Sequence, residues 1–438
     1  ATMKTITRVT LMAAVFLSAI LEIVSCSEQS PDKYLAPEFE QVEVTLEDLK
    51  AIVRCKVTGS GDSYSYGFTL QENGESQFKE ISIKPYAGVL KTELERLAPS
   101  TDYCIKAFAT NGINTVYSAE KHFRTAKEED INPVVNIPDP AFRKYILSKF
   151  DRNNDGSLSQ EEAEGISDIE CCSDDIRSIE GVEYFTNLVR LVCRGSGTDY
   201  GRRTGLLTKV DLSKNYYLRY LEVDSNNLTE LCLPDRMSNI TDIHCIQNKL
   251  DSLDLSNCPK LKLLWCWNNS LTSLDLSHNL LLTDLRCAQN DFSNGLDVSA
   301  NTELRYYCCN DTFMPAIDVS SNKELIELVC YDNAIREIDV SHNPELTKLE
   351  CADNLLKNID VSHNSLLSVF TCEDNYLKEI DISNNLNIRT LHCDNNQLSS
   401  IDISMLAQLK ELSIGDNDIT EPVDLSLFPE LTDYGGNN

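Results

Sequence analysis

The stretch LTKLECADNLLKNIDVSHNSL, residues 346–366, decides the fold, because it recurs with small changes through the second half of the chain. Its cysteine returns at positions 245, 266, 287, 309, 330, 351, 372 and 393, in steps of 21 residues with one step of 22. A fixed period of this length predicts a solenoid in which each repeat forms one coil and is stable only when stacked on its neighbours.

Each repeat contains two similar halves, LxxLxCxxN and LxxLDVSxN. Each half has the alternation of a short strand followed by a turn that carries asparagine. Because 21 residues cannot also hold a full helix, we predict a mainly β fold over residues 166–438. The expected form is a flattened, right-handed solenoid of about twelve coils, with parallel strands on one face and strand-like segments on the other.

The repeat resembles the leucine-rich repeat in a short form, and the resemblance extends from residue 166 to residue 438. With the segment that precedes it, this region is similar to internalin-type repeat proteins of bacterial surfaces. The resemblance implies a protein that binds a partner through an extended sheet.

The 17 cysteines suggest disulfides, but their spacing favours free thiols. In-register parallel strands hold Cβ atoms about 4.8 Å apart, which exceeds the roughly 3.8 Å of a disulfide. We predict a buried thiol column, with disulfides or bound metal as the alternative. A second column, of aspartates before the serines, is expected to accept hydrogen bonds from serine or backbone groups, and cation binding is its alternative.

The N-terminus has the plan of a secretory signal: Lys4 and Arg8, an apolar run over 9–20, and a short motif ending at Cys26. It resembles a lipoprotein signal peptide over 3–25, which implies lipidation of Cys26 and an anchor in the bacterial outer membrane, with the protein secreted to the cell surface. The alternative is a plain secretory signal. Residues 26–36 are expected to be a linker.

Residues 37–126 alternate apolar and polar residues in short strands. The segment around Tyr103 resembles the end of a fibronectin type III domain, in which this tyrosine forms the tyrosine corner. The resemblance implies a β-sandwich that acts as a spacer, or, as the alternative, a second ligand-binding domain. Residues 127–136 are expected to form another linker.

Residues 151–162, DRNNDGSLSQEE, have the spacing of an EF-hand calcium loop. Side-chain and backbone oxygens at this spacing surround one point and suit a hard cation, so calcium is the predicted cofactor. Asp139 and Pro140 begin the preceding helix, and residues 137–165 form an EF-hand-like helical cap. The alternative is a metal-free cap. The predicted ligands are Asp151, Asn153, Asp155, Ser157, Ser159 and Glu162.

Large side chains cluster on the predicted outward face of the middle coils. Aromatic residues and arginine are enriched in binding hot spots, so we expect a ligand surface here, although the same side chains can simply pack together. The residues are Tyr220, Trp265, Trp267, Arg286, Tyr306 and Tyr331.

A net charge of −30 argues against a nucleic-acid partner. The chain has no catalytic motif such as HExxH or GxSxG, and we expect no enzyme activity. The prediction is a monomeric cell-surface binding or adhesion protein with a protein ligand, attached to the membrane only through its lipid. The alternative is a carbohydrate-binding accessory lipoprotein of a nutrient-uptake system.

Overall fold

The computed structural model describes residues 36–59, 63–73, 75–127, 132–196, 204–236 and 238–436. The predicted signal peptide at 3–25 and Cys26 lie outside the described residues. Two compact units divide the chain between residues 131 and 132. Within the described ranges, no helix is long and apolar enough to span a bilayer.

The first unit consists of two antiparallel sheets. In one sheet, β3 pairs with each of the other three strands; the members are β1 (Glu38–Phe39), β2 (Glu43–Glu47), β3 (Lys50–Thr58) and β6 (Val89–Leu94). The other sheet consists of β4 (Ser65–Glu72), β5 (Lys79–Ile83), β7 (Asp102–Thr110), β8 (Thr115–Tyr117) and β9 (Lys121–Arg124). One apolar core contains residues of both sheets, including Val53, Leu90, Phe68 and Ile105.

Tyr103 closes one end of this sandwich. Its phenol oxygen accepts a hydrogen bond from the Ala98 N–H at 2.9 Å, and its ring stacks on Phe123 with 5.4 Å between the centroids. A tyrosine hydroxyl bonded to backbone a few residues upstream is the geometry of a tyrosine corner. Assignment of the unit to the fibronectin type III family stays a prediction.

The second unit begins with two helices, α1 (Pro140–Phe150) and α2 (Gln160–Glu164). Asp139 caps α1, as predicted, and accepts hydrogen bonds from the N–H groups of Ala141 and Phe142. Phe142 and Ile146 are fully buried in a core that continues without interruption into the repeats. The helices therefore cover the open end of the first coil, where they shield its apolar residues from water.

A parallel sheet of 13 strands follows, with every strand paired in register with the next. The strands are β10 (Asp168–Cys172), β11 (Arg190–Arg194), β13 (Tyr220–Glu222), β15 (Asp242–His244), β16 (Leu263–Trp265), β17 (Asp284–Arg286), β18 (Tyr306–Cys308), β19 (Glu327–Val329), β20 (Lys348–Glu350), β21 (Val369–Thr371), β22 (Thr390–His392), β23 (Glu411–Ser413) and β24 (Asp433–Gly435). The predicted parallel solenoid is confirmed.

The repeated cysteine lies immediately after each short strand and points inward. Cys266, Cys330 and Cys351 are typical, with no exposed surface. Cysteines among the described residues are free thiols, as predicted, although Sγ of Cys171 and Cys193 approach to 3.0 Å at the first step. The thiols act as small apolar side chains that fill the core between leucines.

The asparagine three residues after the cysteine satisfies backbone groups of two coils. Nδ2 of Asn354 donates to the carbonyls of Cys330, Cys351 and Ala352, at 2.9–3.2 Å, and its Oδ1 accepts from the Ile335 N–H. The same pattern recurs in the other coils, except that Thr312 replaces asparagine once and donates to the Cys309 carbonyl. Side-chain amides thus supply hydrogen bonds that the turn backbone cannot make to itself.

The opposite side of the solenoid differs from the prediction of strand-like segments. Only β12 (Lys209–Asp211) and β14 (Glu230–Cys232) form a ladder there within the described coils. Along this side, Oδ1 of each column aspartate accepts from the N–H of the serine two residues later, at 2.8–3.0 Å. The predicted hydrogen bonding of this column is confirmed. Its aspartates are Asp211, Asp254, Asp275, Asp297, Asp318, Asp339, Asp360, Asp381, Asp402 and Asp424. Two 3-10 helices lie at Val182–Tyr184 and Leu425–Leu427.

Candidate functional site

The outer face of the 13-stranded sheet presents the first and third residue of each three-residue strand, because the middle residue points into the core. In β16, for example, Leu264 is fully buried while Leu263 and Trp265 are half-buried. The in-register pairing places equivalent side chains of successive strands side by side. The face therefore consists of parallel columns of neighbouring side chains.

Five of these side chains form a continuous stack across β11, β13, β15, β16 and β17, which we call the stacked row. The Arg190 guanidinium lies 5.5 Å from the Tyr220 ring centroid, and the Tyr220 and His244 ring centroids are 5.2 Å apart. The His244 and Trp265 centroids are 4.5 Å apart, and the Arg286 guanidinium lies 4.6 Å from the Trp265 ring. These distances are those of aromatic and cation–π contacts.

Carboxylates hold Arg286, at one end of the stacked row, and Tyr220, next to its other end. The Arg286 guanidinium donates to both oxygens of Asp284, from Nε at 3.1 Å and from Nη2 at 3.3 Å. Glu222 accepts from the Tyr220 hydroxyl at 2.8 Å and from Arg194 at 2.7 Å. Arg286 is held by Asp284 and the Trp265 ring, and Tyr220 is held by Glu222 and the His244 ring, so both side chains have few alternative rotamers.

Burial changes the charge state of one member of the stacked row, His244, and of Asp224, two residues beyond β13. It lowers the pKa of His244, although the carboxylates of Glu222, Asp242 and Asp284 partly oppose the effect, so the imidazole is neutral at neutral pH. Burial also raises the pKa of Asp224 to about 7, against the hydrogen bond that its carboxylate accepts from the Ile246 N–H. The carboxyl group of Asp224 therefore titrates near physiological pH.

The six predicted ligand residues are only partly brought together. Tyr220, Trp265 and Arg286 belong to the stacked row, whereas Tyr306 is the cross-strand neighbour of Asp284 on β18. Trp267 and Tyr331 follow the buried cysteines in a separate edge column, three coils or about 14 Å apart. Of the predicted aromatic residues, Tyr220 and Trp265 each contact the His244 ring.

Sequence reasoning missed Arg190 and His244, which complete the stacked row. His244 precedes Cys245 as Trp265 precedes Cys266, so the repeat itself contained the signal. Arg190 could not be aligned with its cross-strand partner Tyr220, because 30 residues separate the two instead of about 21. A longer coil at that point obscures the register.

The loop at 151–162 makes a sharp turn between α1 and α2. Asn154 and Gly156 have φ of 58° and 85°, which turns the chain sharply, and the Gly156 N–H donates to Asp151 Oδ2 at 3.0 Å. Asn153 Oδ1 accepts from the Asp155 N–H at 2.9 Å. The other oxygen of Asp151, Oδ1, is buried and has no protein hydrogen-bond donor, as expected of an oxygen that ligates a cation.

Glu162 ties the loop to α2. Its Oε1 accepts from the Arg152 N–H at 2.8 Å, and its Oε2 accepts from the N–H and hydroxyl of Ser159. Burial raises the pKa of Glu162, but these hydrogen bonds outweigh burial and leave the pKa below its usual value. Glu162 is thus an ionised carboxylate in the loop, and it also completes a capping box with Ser159, a role that the calcium interpretation had not included.

The strand partner of the loop is the segment before α1. The Val135 N–H donates to the Leu158 carbonyl at 2.8 Å, and Val134 forms a bridge with Ser159. Leu158 is buried against the cap core. The loop is therefore supported from within the cap.

No protein-family model matches the chain, and no curated protein matches it. Among solved structures, the functional domain of InlJ from Listeria monocytogenes, described as including a cysteine ladder, is 32% identical with a TM-score of 0.62. That match covers 69% of this chain and 70% of InlJ. The chain belongs to the internalin-like leucine-rich-repeat family.

A second structure shares the fold of this internalin-like protein. The internalin InlF from Listeria monocytogenes is 21% identical with a TM-score of 0.54, and the match covers 69% of this chain and 96% of InlF. The buried thiol column of the internalin-like chain also corresponds to the cysteine ladder in the description of InlJ.

Proposed function

We propose that this internalin-like protein is a non-catalytic binding or adhesion protein of the cell surface that recognises a protein ligand through the stacked row. The observation that carries the proposal is the uninterrupted contact from Arg190 to Arg286 across five neighbouring strands. Aromatic residues and arginine held rigid on a sheet lose little conformational entropy on binding.

The charge around the stacked row supports a ligand with a basic surface. The flanking positions on the same sheet carry many carboxylates, among them Asp168, Asp242, Glu327, Glu350 and Glu411, and the chain has a net charge of −30. Complementary charge accelerates encounter and excludes acidic partners. Binding should therefore weaken as salt increases.

The experiment compares capture of extracellular proteins by the immobilised chain and by Trp265→Ala/Arg286→Ala. The control is Leu366→Ala/Met405→Ala, which shortens two exposed side chains of turns outside the sheet. We expect the sheet variant to lose the captured protein and the control to keep it, with unchanged circular dichroism for both. Equal capture by both variants would refute the proposal, and binding to a glycan array alone would favour the carbohydrate-binding accessory.

We further propose that the 151–162 loop binds one calcium ion through Asp151, Asn153, Asp155, Ser157, Ser159 and Glu162. The ion supplies positive charge that stabilises these carboxylates and fixes the cap against the first coil. The unpartnered Asp151 Oδ1 supports this proposal. A lipid on Cys26 would anchor the protein at the outer membrane, with the first unit as a fibronectin type III-like spacer.

A further inference from the structure

The outward face of the sheet formed by β4, β5 and β7–β9 brings a cysteine and a histidine together. Cys104 on β7 and His122 on β9 are direct cross-strand partners, and Tyr103 and Phe123 form the next pair. Because successive residues of a strand face opposite sides, Tyr103 points into the core while Cys104 and His122 point away from it.

Glu120 adds a carboxylate at the same place. Its Oε2 lies 3.3 Å from His122 Nε2. Ligand atoms of Cys104, Glu120 and His122 all lie within 4.8 Å of one another. Tetrahedral zinc, with bonds of about 2.0–2.3 Å, keeps its ligand atoms about 3.3–3.6 Å apart. The nitrogen–oxygen edge already has this length, and the sulfur lies within 4.8 Å of both other ligand atoms, so a small rotation of the side chains closes the remaining edges.

Lys106 orients the carboxylate without blocking it. Its ammonium group lies 2.8 Å from Glu120 Oε1, which leaves Oε2 directed toward His122. The ammonium group also lies 5.7 Å and 5.9 Å from the ring centroids of Phe78 and Tyr117. A ligating carboxylate whose second oxygen is hydrogen-bonded to a neighbour is common in metal sites.

We propose that Cys104, Glu120 and His122 bind a divalent transition-metal ion of the zinc class, with a fourth position open to water or to a ligand from a partner. Thiolate and imidazole select zinc over calcium and magnesium, which prefer oxygen ligands. The site is thus chemically distinct from the 151–162 loop.

Metal binding at this site is coupled to proton release. On binding, the S–H proton leaves to solvent and a sulfur–metal bond forms.

The test is a titration of the purified, reduced chain with cobalt(II) alone. We expect one equivalent to produce a thiolate-to-cobalt charge-transfer band and tetrahedral visible bands. Zinc should remove these bands by competition, whereas excess calcium should leave them unchanged. Cys104→Ser should abolish the charge-transfer band, and His122→Gln should weaken binding and alter the visible bands.

The matched controls change a half-exposed cysteine and an exposed histidine of the repeats. Cys232→Ser and His278→Gln should keep both sets of bands. Circular dichroism verifies that each variant is folded. A charge-transfer band that persists in Cys104→Ser, or its absence from the reduced wild-type chain, would overturn the proposal.

Discussion

Asp139 Oδ2 accepts a hydrogen bond from the Arg177 N–H at 3.0 Å, while Oδ1 of the same carboxylate caps α1. One side chain thus joins the helical cap to the first coils of the solenoid. Hydrogen bonds to three backbone groups outweigh burial and keep the pKa of Asp139 below its usual value.

Asp139→Ala should destabilise the second unit by about 1–2 kcal/mol, the cost of losing a helix cap, because three N–H groups lose their acceptor. Urea denaturation followed by circular dichroism measures the change. Asp139→Asn, which keeps one acceptor oxygen, should cost less than alanine. Equal stability of wild type and Asp139→Ala would show that the link contributes nothing.

Calcium should stabilise the second unit through the 151–162 loop. At a free calcium concentration about 100 times the Kd, linkage predicts a gain of about 2.7 kcal/mol. Differential scanning calorimetry with calcium or with chelator measures it. Asp151→Ala should remove the gain, whereas Asp418→Ala, which changes an aspartate far from the loop, should retain it. A wild-type melting temperature that is insensitive to calcium would contradict the proposed site.

Asp224 should make the solenoid less stable as pH rises. Its pKa is raised from 3.8 to about 7 by burial, so the folded state binds a proton that the unfolded state releases. The associated stability is complete below the unfolded pKa of about 4 and is lost as pH rises through the folded value. Asp224→Asn, which can still accept from the Ile246 N–H, should remove this dependence.

Melting temperatures of wild type and Asp224→Asn across pH 4–8 measure the effect, and the window is about that between the two pKa values. The difference between the two proteins should increase with pH, in favour of the variant. Asp394→Asn, at the equivalent position of a later coil, is the control and should show a smaller change. Parallel curves for wild type and Asp224→Asn would mean that Asp224 is ionised throughout.

Most cysteines of the repeats should resist alkylation in the folded chain. Burial raises the pKa of Cys266, Cys330 and Cys393 to about 12, and none of the three is exposed. Mass spectrometry after iodoacetamide treatment should find label on the exposed or half-exposed Cys104, Cys172, Cys232 and Cys308. Urea should make the whole thiol column reactive. Labelling of Cys330 in the native protein would indicate local opening of the coils.

The sequence period was sufficient to predict the coil, the inward cysteine and the aspartate hydrogen bonds, because each depends on positions within one 21-residue unit. Contacts between strands were harder to predict. The stacked row depends on the register of neighbouring coils, and the 30-residue step from Arg190 to Tyr220 breaks the period where that register had to be known. Cys104, Glu120 and His122 escaped notice because only the pairing of β7 with β9 brings them together.

The continuous core of the second unit permits two kinds of evolutionary change, exchange of outward side chains and gain or loss of whole coils. Inward leucine, cysteine and asparagine recur at fixed positions, so exchange of the outward side chains leaves the scaffold intact. Gain or loss of one whole coil between the helices and the stacked row would shift the row by a single strand spacing, about 4.8 Å, relative to the helices. The ligand that the outward side chains select and the distance of the stacked row from the helices can therefore vary independently in this architecture.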